Sequence, residues 1–391
     1  MENLWQQILA GLNVAWIWFF SIFVHWGWVP NSLVVEPTVF AAENEYQIVW
    51  ETQQTSSAWV TVNGQVYSDS LAGNLVLDQK AHKVRVPTEA LDAAGDYEIH
   101  WQHVLVNDVA FRFIRKGNHK AKKYDFRPID TSDGLQIYHL SDTHSRLQPG
   151  ADTAKYWGDK LDLLILNGDI MNDMYYPAER SFALRLAFEI TGGGRPVLYT
   201  RGNHETRGTQ AGGGLDRWLG TPGADRWYFT TRIGPLWVAV FDGGEDKLDG
   251  HQEYQGLAYF AEYRERETRF FERVVANAAT EFGAPGVEYR LLVSHIPVGR
   301  SSAFPDVHAD WAALANQMNL DLALSGHNHA ATYYPVGNYA PLNYPLIIGS
   351  RPAHASDDGI FIAAAVEFQG TGIKSWFTNQ RHEVLREITV R

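Results

Sequence analysis

Cysteine is absent from this chain of 391 residues, which excludes disulfide bonds and thiolate metal ligands. Its absence leaves the compartment open, because many exported enzymes also lack disulfides. The sequence also contains no Asn-x-Ser/Thr acceptor for N-glycosylation. Any metal site in this protein must therefore be built from oxygen and nitrogen ligands.

The chain has fewer basic than acidic residues: 33 Lys and Arg and 45 Asp and Glu give it a formal net charge of -12. This balance excludes a broad nucleic-acid-binding surface, which needs clustered Lys and Arg. It leaves room for a local cationic cleft, because bound metal ions would supply positive charge themselves. A hydrophobic content of 45% with 20% charged residues is typical of a folded soluble protein, and the length favours two domains.

Phosphate-cradling glycine motifs are also missing. Glycine runs occur at residues 192–194 and 212–214. Neither carries the Lys-Ser/Thr pair of a P-loop or the strand–turn–helix spacing of a dinucleotide fingerprint. We therefore interpret both runs as loop turns rather than as a nucleotide cofactor site.

An apolar, tryptophan-rich segment covers residues 8–29 and is long enough to be considered a membrane span. The residues before it include Glu2 and no Lys or Arg, so the basic region of a signal peptide is missing. Asn13 and His25 interrupt the apolar run. We expect a packed helix or hairpin over residues 1–36 and a cytoplasmic location. A membrane anchor or an uncleaved signal through residues 8–29 is the alternative.

Residues 37–128 show a β pattern. Residues 46–52 and 58–62 alternate between apolar and polar side chains, and Asn63-Gly64 follows the second run. Asn-Gly between alternating runs indicates a hairpin, because both residues tolerate positive φ. Short strands separated by turns predict a small β-sandwich. The basic stretch 116–123 is interpreted as part of a connecting linker.

Residues 129–391 show a different pattern, in which strand-like apolar runs alternate with helical segments. This alternation predicts an α/β core whose sheet faces are covered by helices.

Metal-binding side chains follow five strand-like runs of this second region. Because strands end at a shared sheet edge, we expect these side chains to point into one cleft. Their mixture of carboxylate, carboxamide and imidazole suits two close Mn, Fe or Zn ions better than Ca or Mg. The clusters are Asp142 with His144, Asp169, Asn203 with His204 and Glu205, His295, and His327 with His329.

Spacing along the chain suggests a division of these ligands between two ions. The first ion would have Asp142, His144, Asp169 and His329, and the second would have Asp169, Asn203, His295 and His327. Asp169 would bridge the two ions through its two carboxylate oxygens.

The ordered set over residues 135–366 resembles the calcineurin-like metallophosphoesterase superfamily, whose pattern is Asp-x-His, Gly-Asp, Gly-Asn-His-Asp/Glu, a lone His, and Gly-His-x-His. The resemblance implies a four-layer α/β/β/α fold with a dinuclear centre that hydrolyses phosphate monoesters or diesters. The preceding β region looks like the fibronectin-III-like module of purple acid phosphatases. The chain departs from those enzymes in having His144 and in placing Asn172 where their tyrosinate ligand falls.

A mechanism follows as a hypothesis. A metal-bridging hydroxide would attack the phosphorus in line, with Asn203 orienting the phosphoryl group. His204 would stabilise the transition state and protonate the leaving oxygen. Asp173 or Glu205 would orient that imidazole, or else serve only as a helix cap or supporting hydrogen bond. Arg146 would touch a substrate phosphate or form a surface salt bridge.

Other functions remain open at this point. The alternative function is a binding module whose β region docks a protein partner or a polymer. An aromatic set could line a substrate rim or simply pack in the core: Tyr175, Tyr176, Trp218, Trp227 and Tyr228. The expected partner is a small phosphate ester, and the sequence does not specify an oligomeric state.

Overall fold

The computed structural model describes residues 2–107, 113–352 and 359–391. Its α-helices within those ranges are α1 (Glu2–His25), α2 (Thr88–Ala94), α3 (Leu147–Ala154), α4 (Phe182–Thr191), α5 (Phe260–Ala276) and α6 (Pro305–Ala315). Its strands there are β1 (Leu33–Ala42), β2 (Glu45–Thr52), β3 (Ser56–Val62), β4 (Gln65–Ser68), β5 (Ser70–Leu71), β6 (Asn74–Leu75), β7 (Ala81–Pro87), β8 (Asp96–Asn107), β9 (Phe113–Asp125), β10 (Leu135–Leu140), β11 (Leu163–Asn167), β12 (Pro196–Thr200), β13 (Phe229–Ile233), β14 (Leu236–Phe241), β15 (Tyr289–Ser294), β16 (Leu322–Ser325), β17 (Ala331–Tyr334), β18 (Leu346–Gly349), β19 (Ile362–Gln369), β20 (Gly372–Asn379) and β21 (Val384–Thr389).

The larger sheet has nine strands in the order β21-β20-β19-β10-β11-β12-β1-β2-β7. Its centre is parallel, with β10 beside β11, β11 beside β12, and β12 beside β1. Every residue of β11 and β12 is buried. Such continuous apolar strands are expected where both faces of a parallel sheet are covered.

The second sheet has six strands in the order β13-β14-β15-β16-β18-β17, and β14, β15, β16 and β18 run parallel. Its inner face packs directly on the nine-stranded sheet. Ile137 and Ile165 of one sheet share a core with Val293 and Leu324 of the other. The parallel strands of both sheets therefore flank one common hydrophobic layer.

Helices cover the two outer faces. Ala151 of α3 and Leu186 of α4 pack with Leu164 on the outside of the nine-stranded sheet. Phe271 of α5 and Trp311 of α6 pack on the outside of the six-stranded sheet. The layers are thus helix, sheet, sheet and helix, and the predicted α/β fold class is confirmed.

The N-terminal β region does not stand apart as the sequence pattern suggested. Strands β1, β2 and β7 extend the nine-stranded sheet, while β4, β3, β8 and β9 form a separate four-stranded sheet. Trp50 of β2 and Ala58 of β3 lie in the same core as Ile137 of β10. A fibronectin-III-like sandwich over residues 37–128 is therefore not confirmed, because alternation identifies strands without specifying their partners. The division of the chain after residues 36 and 128 stays a prediction.

The basic stretch at residues 116–123 was interpreted as a linker, and this interpretation was wrong. The stretch lies within β9, which pairs with β8 in an antiparallel ladder. Exposed Lys side chains are common on the solvent-facing positions of a strand at a sheet edge, so their charge did not mark a break in structure.

The N-terminal segment forms a helix, α1, as one of the two expected forms. Most of this helix is exposed, so the expected packing against the protein is not confirmed. Residues Asn3–His25 are long and apolar enough to cross a membrane, with a mean hydropathy of 1.8, and 11% of the most apolar window is buried. Ser21 and Val24 near its C-terminal end are buried. Composition of this kind is shared by core helices, signal sequences and membrane spans. The cytoplasmic location stays a prediction.

Candidate metal centre

The five motif clusters follow β10, β11, β12, β15 and β16, all at the carboxyl ends of parallel strands. The first three strands belong to the nine-stranded sheet and the last two to the six-stranded sheet. Because the two sheets face each other, their strand ends open onto one shared edge. The structure thus brings together side chains that are as far apart in sequence as Asp142 and His329.

The backbone turns sharply as it leaves each strand. Positive φ angles are uncommon outside glycine, although Asn, Asp and His adopt them several-fold more often than other residues, and they occur at Asp142 (54°), His144 (45°), Asp169 (50°), His327 (68°) and His329 (48°). Each such residue costs of order 1–3 kcal/mol and persists only where its surroundings enforce it. The concentration of this strain at the candidate ligands indicates a functional site.

Glycines allow these turns to approach one another. A Cβ on Gly326 would meet the Ser141 hydroxyl and lie 2.7 Å from Oδ2 of Asp142. A Cβ on Gly168 would lie 2.6 Å from the His295 ring. Glycine is therefore required at both places for the ligand loops to converge.

The first group consists of Asp142, His144 and His329. Nε2 of His144 lies 3.0 Å from Nε2 of His329, which in turn lies 3.5 Å from Oδ1 of Asp142. Nδ1 of His144 is buried and has no hydrogen-bond partner among the described residues. Three ligand atoms thus face a common point.

The second group consists of Asp169, His295 and His327. Oδ1 of Asn203 lies 3.0 Å from Nδ1 of His327 and so belongs to the same cluster. Nε2 of His295 is buried and lies 3.2 Å from Oδ2 of Asp169, yet it has no aligned hydrogen-bond partner in the described part of the chain. A ring nitrogen placed in this way fits a metal ligand.

Asp169 joins the two groups. Its carboxylate also forms a set with His144 and His204, whose ligand atoms all lie within 4.8 Å of one another. Asp169 is therefore adjacent both to His144 of the first group and to His295 of the second. This position is the one that a bridging carboxylate would need.

Burial dominates the electrostatics of the cleft. It lowers the pKa of His144 to about 3 and that of His327 to about 4, so both rings are held in the neutral form that binds metals. Burial also raises the pKa of Asp142 to about 7. Asp169 and His295 differ, because each stabilises the other's charge against burial: the pKa of His295 rises to about 10 and that of Asp169 falls below its usual range.

His204 lies beside the carboxylate of Asp169 and does not belong to the first or the second ligand group. Its Nδ1 lies against the Asn172 carbonyl oxygen and 3.5 Å from Oδ1 of Asp173. Its Nε2 lies 3.1 Å from the Arg207 guanidinium and 3.9 Å from Oδ2 of Asp169. Since Arg207 can only donate, Nε2 accepts and Nδ1 carries the proton.

Glu205 has a different place from the one suggested for it as an orienting group for His204. Its buried carboxylate accepts the backbone N–H groups of Gly202 (2.7 Å), Asp169 (2.9 Å) and Met171 (3.0 Å). It fixes the loops after β11 and β12 against each other. Of the two candidates, Asp173 is the one that lies beside the His204 imidazole.

Arg146 stands immediately before α3, and its expected salt bridge is not formed with any described residue. One of its terminal nitrogens, Nη1, is buried without a hydrogen-bond partner in that part of the chain. A substrate contact for Arg146 stays a prediction.

The sequence reasoning missed two charged groups near the cleft. Arg207 contacts His204 and also binds Glu245, with Nε 3.1 Å from the carboxylate. Asp246 places Oδ2 3.6 Å from Nε2 of His327. The loop with Glu245 and Asp246 follows β14, so the rule of polar residues after parallel strands would have found it.

A pocket of about 880 Å³ is lined by Asp173 and Arg207, which both contact His204, and by several aromatic side chains. Tyr175 and Trp227 belong to this lining. The other predicted rim residues behave differently: Tyr176 is 70% exposed, Trp218 packs against the outer core, and Tyr228 is buried against α5.

Comparison with protein-family models agrees with this geometry. The calcineurin-like phosphoesterase model covers residues 135–331, which is half of the chain and includes every candidate ligand. The chain belongs to the calcineurin-like phosphoesterase family. It is therefore a metal-dependent phosphoesterase. Its oxygen and nitrogen ligands fit transition-metal ions, and they include the buried Nε2 of His295, which makes no aligned hydrogen bond in the described part of the chain.

A solved structure supports the fold. A purple acid phosphatase from seeds of yellow lupin (Lupinus luteus) is similar with a TM-score of 0.56 and 13% identity, over 92% of this phosphoesterase and 74% of that chain. PhoD has a TM-score of 0.45 and 10% identity, over 92% of each chain. No curated protein sequence matches this phosphoesterase.

Proposed function

We propose that the protein hydrolyses phosphate monoesters or diesters at a centre of two transition-metal ions, Mn, Fe or Zn. The observation that carries the proposal is the place of Asp169 between two ligand groups. One ion would be held by Asp142, His144, Asp169 and His329, and the other by Asp169, Asn203, His295 and His327. The distances in both groups and the neutral state of His144 and His327 support this division.

When bound, two such ions lower the pKa of a shared water and neutralise the oxygens of a phosphoryl group. The protein's own side chains must then bind and orient the ester. Asn203 can hold an ion through Oδ1, which leaves its amide N–H group to donate to a phosphoryl oxygen. Arg207 binds Glu245 through Nε and Nη2, and its Nη1, which lies against Nε2 of His204, can donate to the same anionic oxygens.

His204 is the proposed proton donor to the leaving oxygen. Its Nδ1 is held by the Asn172 carbonyl oxygen and Asp173, which fixes the ring with Nε2 facing Arg207 and Asp169. A phosphoryl group bound by Arg207 would therefore lie next to Nε2. Once a phosphoryl oxygen takes over the Arg207 N–H, Nε2 is free to carry a proton, and the imidazolium form of the ring would pass that proton to the leaving oxygen as a general acid, leaving the neutral ring with its proton on Nδ1.

The pocket beside His204 suggests where the leaving group lies. Its walls carry Tyr175, Tyr254 and Tyr259, and Tyr259 is largely exposed. Aromatic walls next to a cationic Arg207 favour esters that join a phosphate to an aryl or nucleoside group.

The decisive experiment is a hydrolysis panel with metal-free protein reconstituted with Mn, Fe, Zn or Mg. The substrates are p-nitrophenyl phosphate, bis-p-nitrophenyl phosphate, cyclic nucleotides and nucleoside phosphates. Hydrolysis with at least one transition metal is expected, and Asp169→Ala should abolish it. Absence of hydrolysis under every condition would contradict the proposal and favour a module that docks a partner through the N-terminal strands.

A further inference from the structure

The surface of α1 is unusual for a water-soluble protein. Leu9, Leu12 and Trp16 are each more than 60% exposed, and apolar residues occupy all sides of the helix. Isolated exposed apolar residues are common, but a continuous apolar patch of this extent marks an interaction site. An interfacial amphipathic helix would show a strongly polar face, which α1 lacks.

The length and the ends of α1 match a bilayer. Trp5 lies in α1 and Trp26 directly follows its last residue, which places them roughly 32 Å apart at 1.5 Å per residue, close to the ~30 Å thickness of a hydrocarbon core. Both indoles are more than half exposed, as is that of Trp28, whose ring centroid lies 4.9 Å from that of Trp26. Tryptophan is enriched where a membrane meets water. Ser21 donates its hydroxyl to the Trp18 carbonyl oxygen at 2.6 Å, so it needs no water.

The end of α1 rests on the basic strand β9. A Cβ added to Gly117 would lie 2.9 Å from the Val24 carbonyl oxygen, so helix and strand are in contact there. Lys120 and Val24 line the same small pocket. Lys116 and Lys120 flank this contact, are exposed, and have no ion-pair partner among the described residues.

The other two lysines of the strand are already neutralised. Lys122 pairs with Glu36 at 2.8 Å and Lys123 pairs with Asp96 at 2.9 Å. Positive charge that lacks a carboxylate is therefore concentrated where α1 meets the folded domain. In a chain with net charge -12, this local excess complements an anionic lipid surface.

We propose that α1 inserts into a lipid bilayer while Lys116 and Lys120 lie against its anionic headgroups, which holds the folded domain at the membrane surface. The proposal is independent of the hydrolytic function, because it concerns a surface on the four-stranded sheet. Its tests measure where the intact chain partitions, and so they stay valid whatever the substrate panel shows.

The first test is flotation of the full chain with phosphatidylcholine vesicles. The chain should float with the vesicles, and Leu9→Asp with Leu12→Asp should reduce the floated fraction at least tenfold, since carboxylates in the hydrocarbon layer are costly. The matched control places Asp at two exposed apolar positions away from α1, Val336→Asp with Val384→Asp, and should float like the wild type. Thermal unfolding midpoints show that each variant is folded.

The second test adds phosphatidylserine to the vesicles. The wild-type chain should bind these vesicles severalfold more tightly at low salt than at high salt. Lys116→Glu with Lys120→Glu should remove that gain and leave binding to phosphatidylcholine unchanged. Lys374→Glu with Arg386→Glu, on β20 and β21, changes the net charge equally and should keep the gain.

Three results would overturn the proposal. The wild-type chain could stay in the aqueous fraction with both kinds of vesicle. It could instead bury α1 against a second copy, seen as an oligomer that the two α1 substitutions dissociate and that ignores lipid. Finally, intact-mass measurement of the protein from its native cells could show a chain that lacks α1, which would identify the segment as a cleaved signal.

Discussion

Nε2 of His295 lies 3.2 Å from Oδ2 of Asp169, and each side chain is 2% exposed. The carboxylate counters the effect of burial and raises the pKa of His295 to about 10, while His295 lowers the pKa of Asp169 below its usual range. Removing one partner of such a buried pair leaves an uncompensated charge, which is strongly destabilising. The pair therefore keeps Asp169 anionic at the centre of the cleft.

Asp169→Ala is expected to lose metal from both groups, because this carboxylate is adjacent to each of them. Elemental analysis of the purified variant should show at most a small fraction of the wild-type metal content. Asp133→Ala, which removes an exposed carboxylate outside the cleft, should retain the wild-type content. A normal metal count in Asp169→Ala would rule out its bridging role.

His204→Ala should behave in the opposite way. Its imidazole comes only within 3.9 Å of the Asp169 carboxylate and is absent from the proposed ligand sets, and Ala keeps the backbone N–H that donates to Oδ1 of Asp169 at 2.9 Å, so metal content should be unchanged. Turnover should fall on the order of 10²-fold, the usual scale for losing a general acid. Steady-state kinetics with the best panel substrate measures this, with His382→Ala on the exposed surface as control. Wild-type turnover by the first variant would remove His204 from the mechanism.

Much of this cleft could be predicted from the sequence because each ligand is identified by the residues next to it in the chain. Each ligand follows an apolar strand, and the ends of parallel strands meet at one edge, so the positions of Asp142 and His327 followed from pattern alone. The partners of Glu205 could not be predicted in this way. Its three backbone donors come from two different loops whose contact depends on tertiary packing.

In the N-terminal half, too, the sequence pattern predicted local structure but not tertiary contacts. Alternation correctly identified β2 and β3, yet it could not show that β2 joins the nine-stranded sheet while β3 joins the four-stranded one. For α1, hydropathy described the side chains but not what surrounds them. A buried helix and a lipid-facing helix have the same composition, and the exposure of Leu9 and Trp16 was visible only in three dimensions.

Gly202→Ala should disrupt the metal centre although Gly202 is not itself a proposed ligand. The added Cβ would meet the backbone nitrogen and Oδ1 of Asp169 and would lie 2.9 Å from Oε2 of Glu205. Forcing such a contact costs about 1–3 kcal/mol, and relief requires Asp169 to shift. Metal affinity, measured by competition with a chelator, should drop at least tenfold. Gly212→Ala is the matched control, since its Cβ would meet nothing within 4 Å. Equal affinities for the two variants would contradict the close packing described.

A pH dependence of stability is expected from Lys83, a buried residue of β7 that lies away from the metal cleft. Burial lowers its pKa to about 7, with a smaller contribution from the charge of Arg85. In the unfolded chain the pKa of a lysine is about 10.4. Between these two values the unfolded chain binds more protons than the folded one. The free energy of unfolding should therefore rise with pH across this window, by at most about 1.4 kcal/mol per pH unit from this group.

Lys83→Met isolates this contribution because it keeps the length of the side chain and removes its charge. Urea midpoints of the wild type and the variant should differ most at pH 7 and below, where folding must deprotonate or bury a charged amine, and should converge as the pH rises towards about 10.4. Lys374→Met, on an exposed position of β20, controls for loss of a positive charge and should show no such convergence. A constant difference between wild type and Lys83→Met at every pH would mean that Lys83 keeps its ordinary pKa in the folded chain.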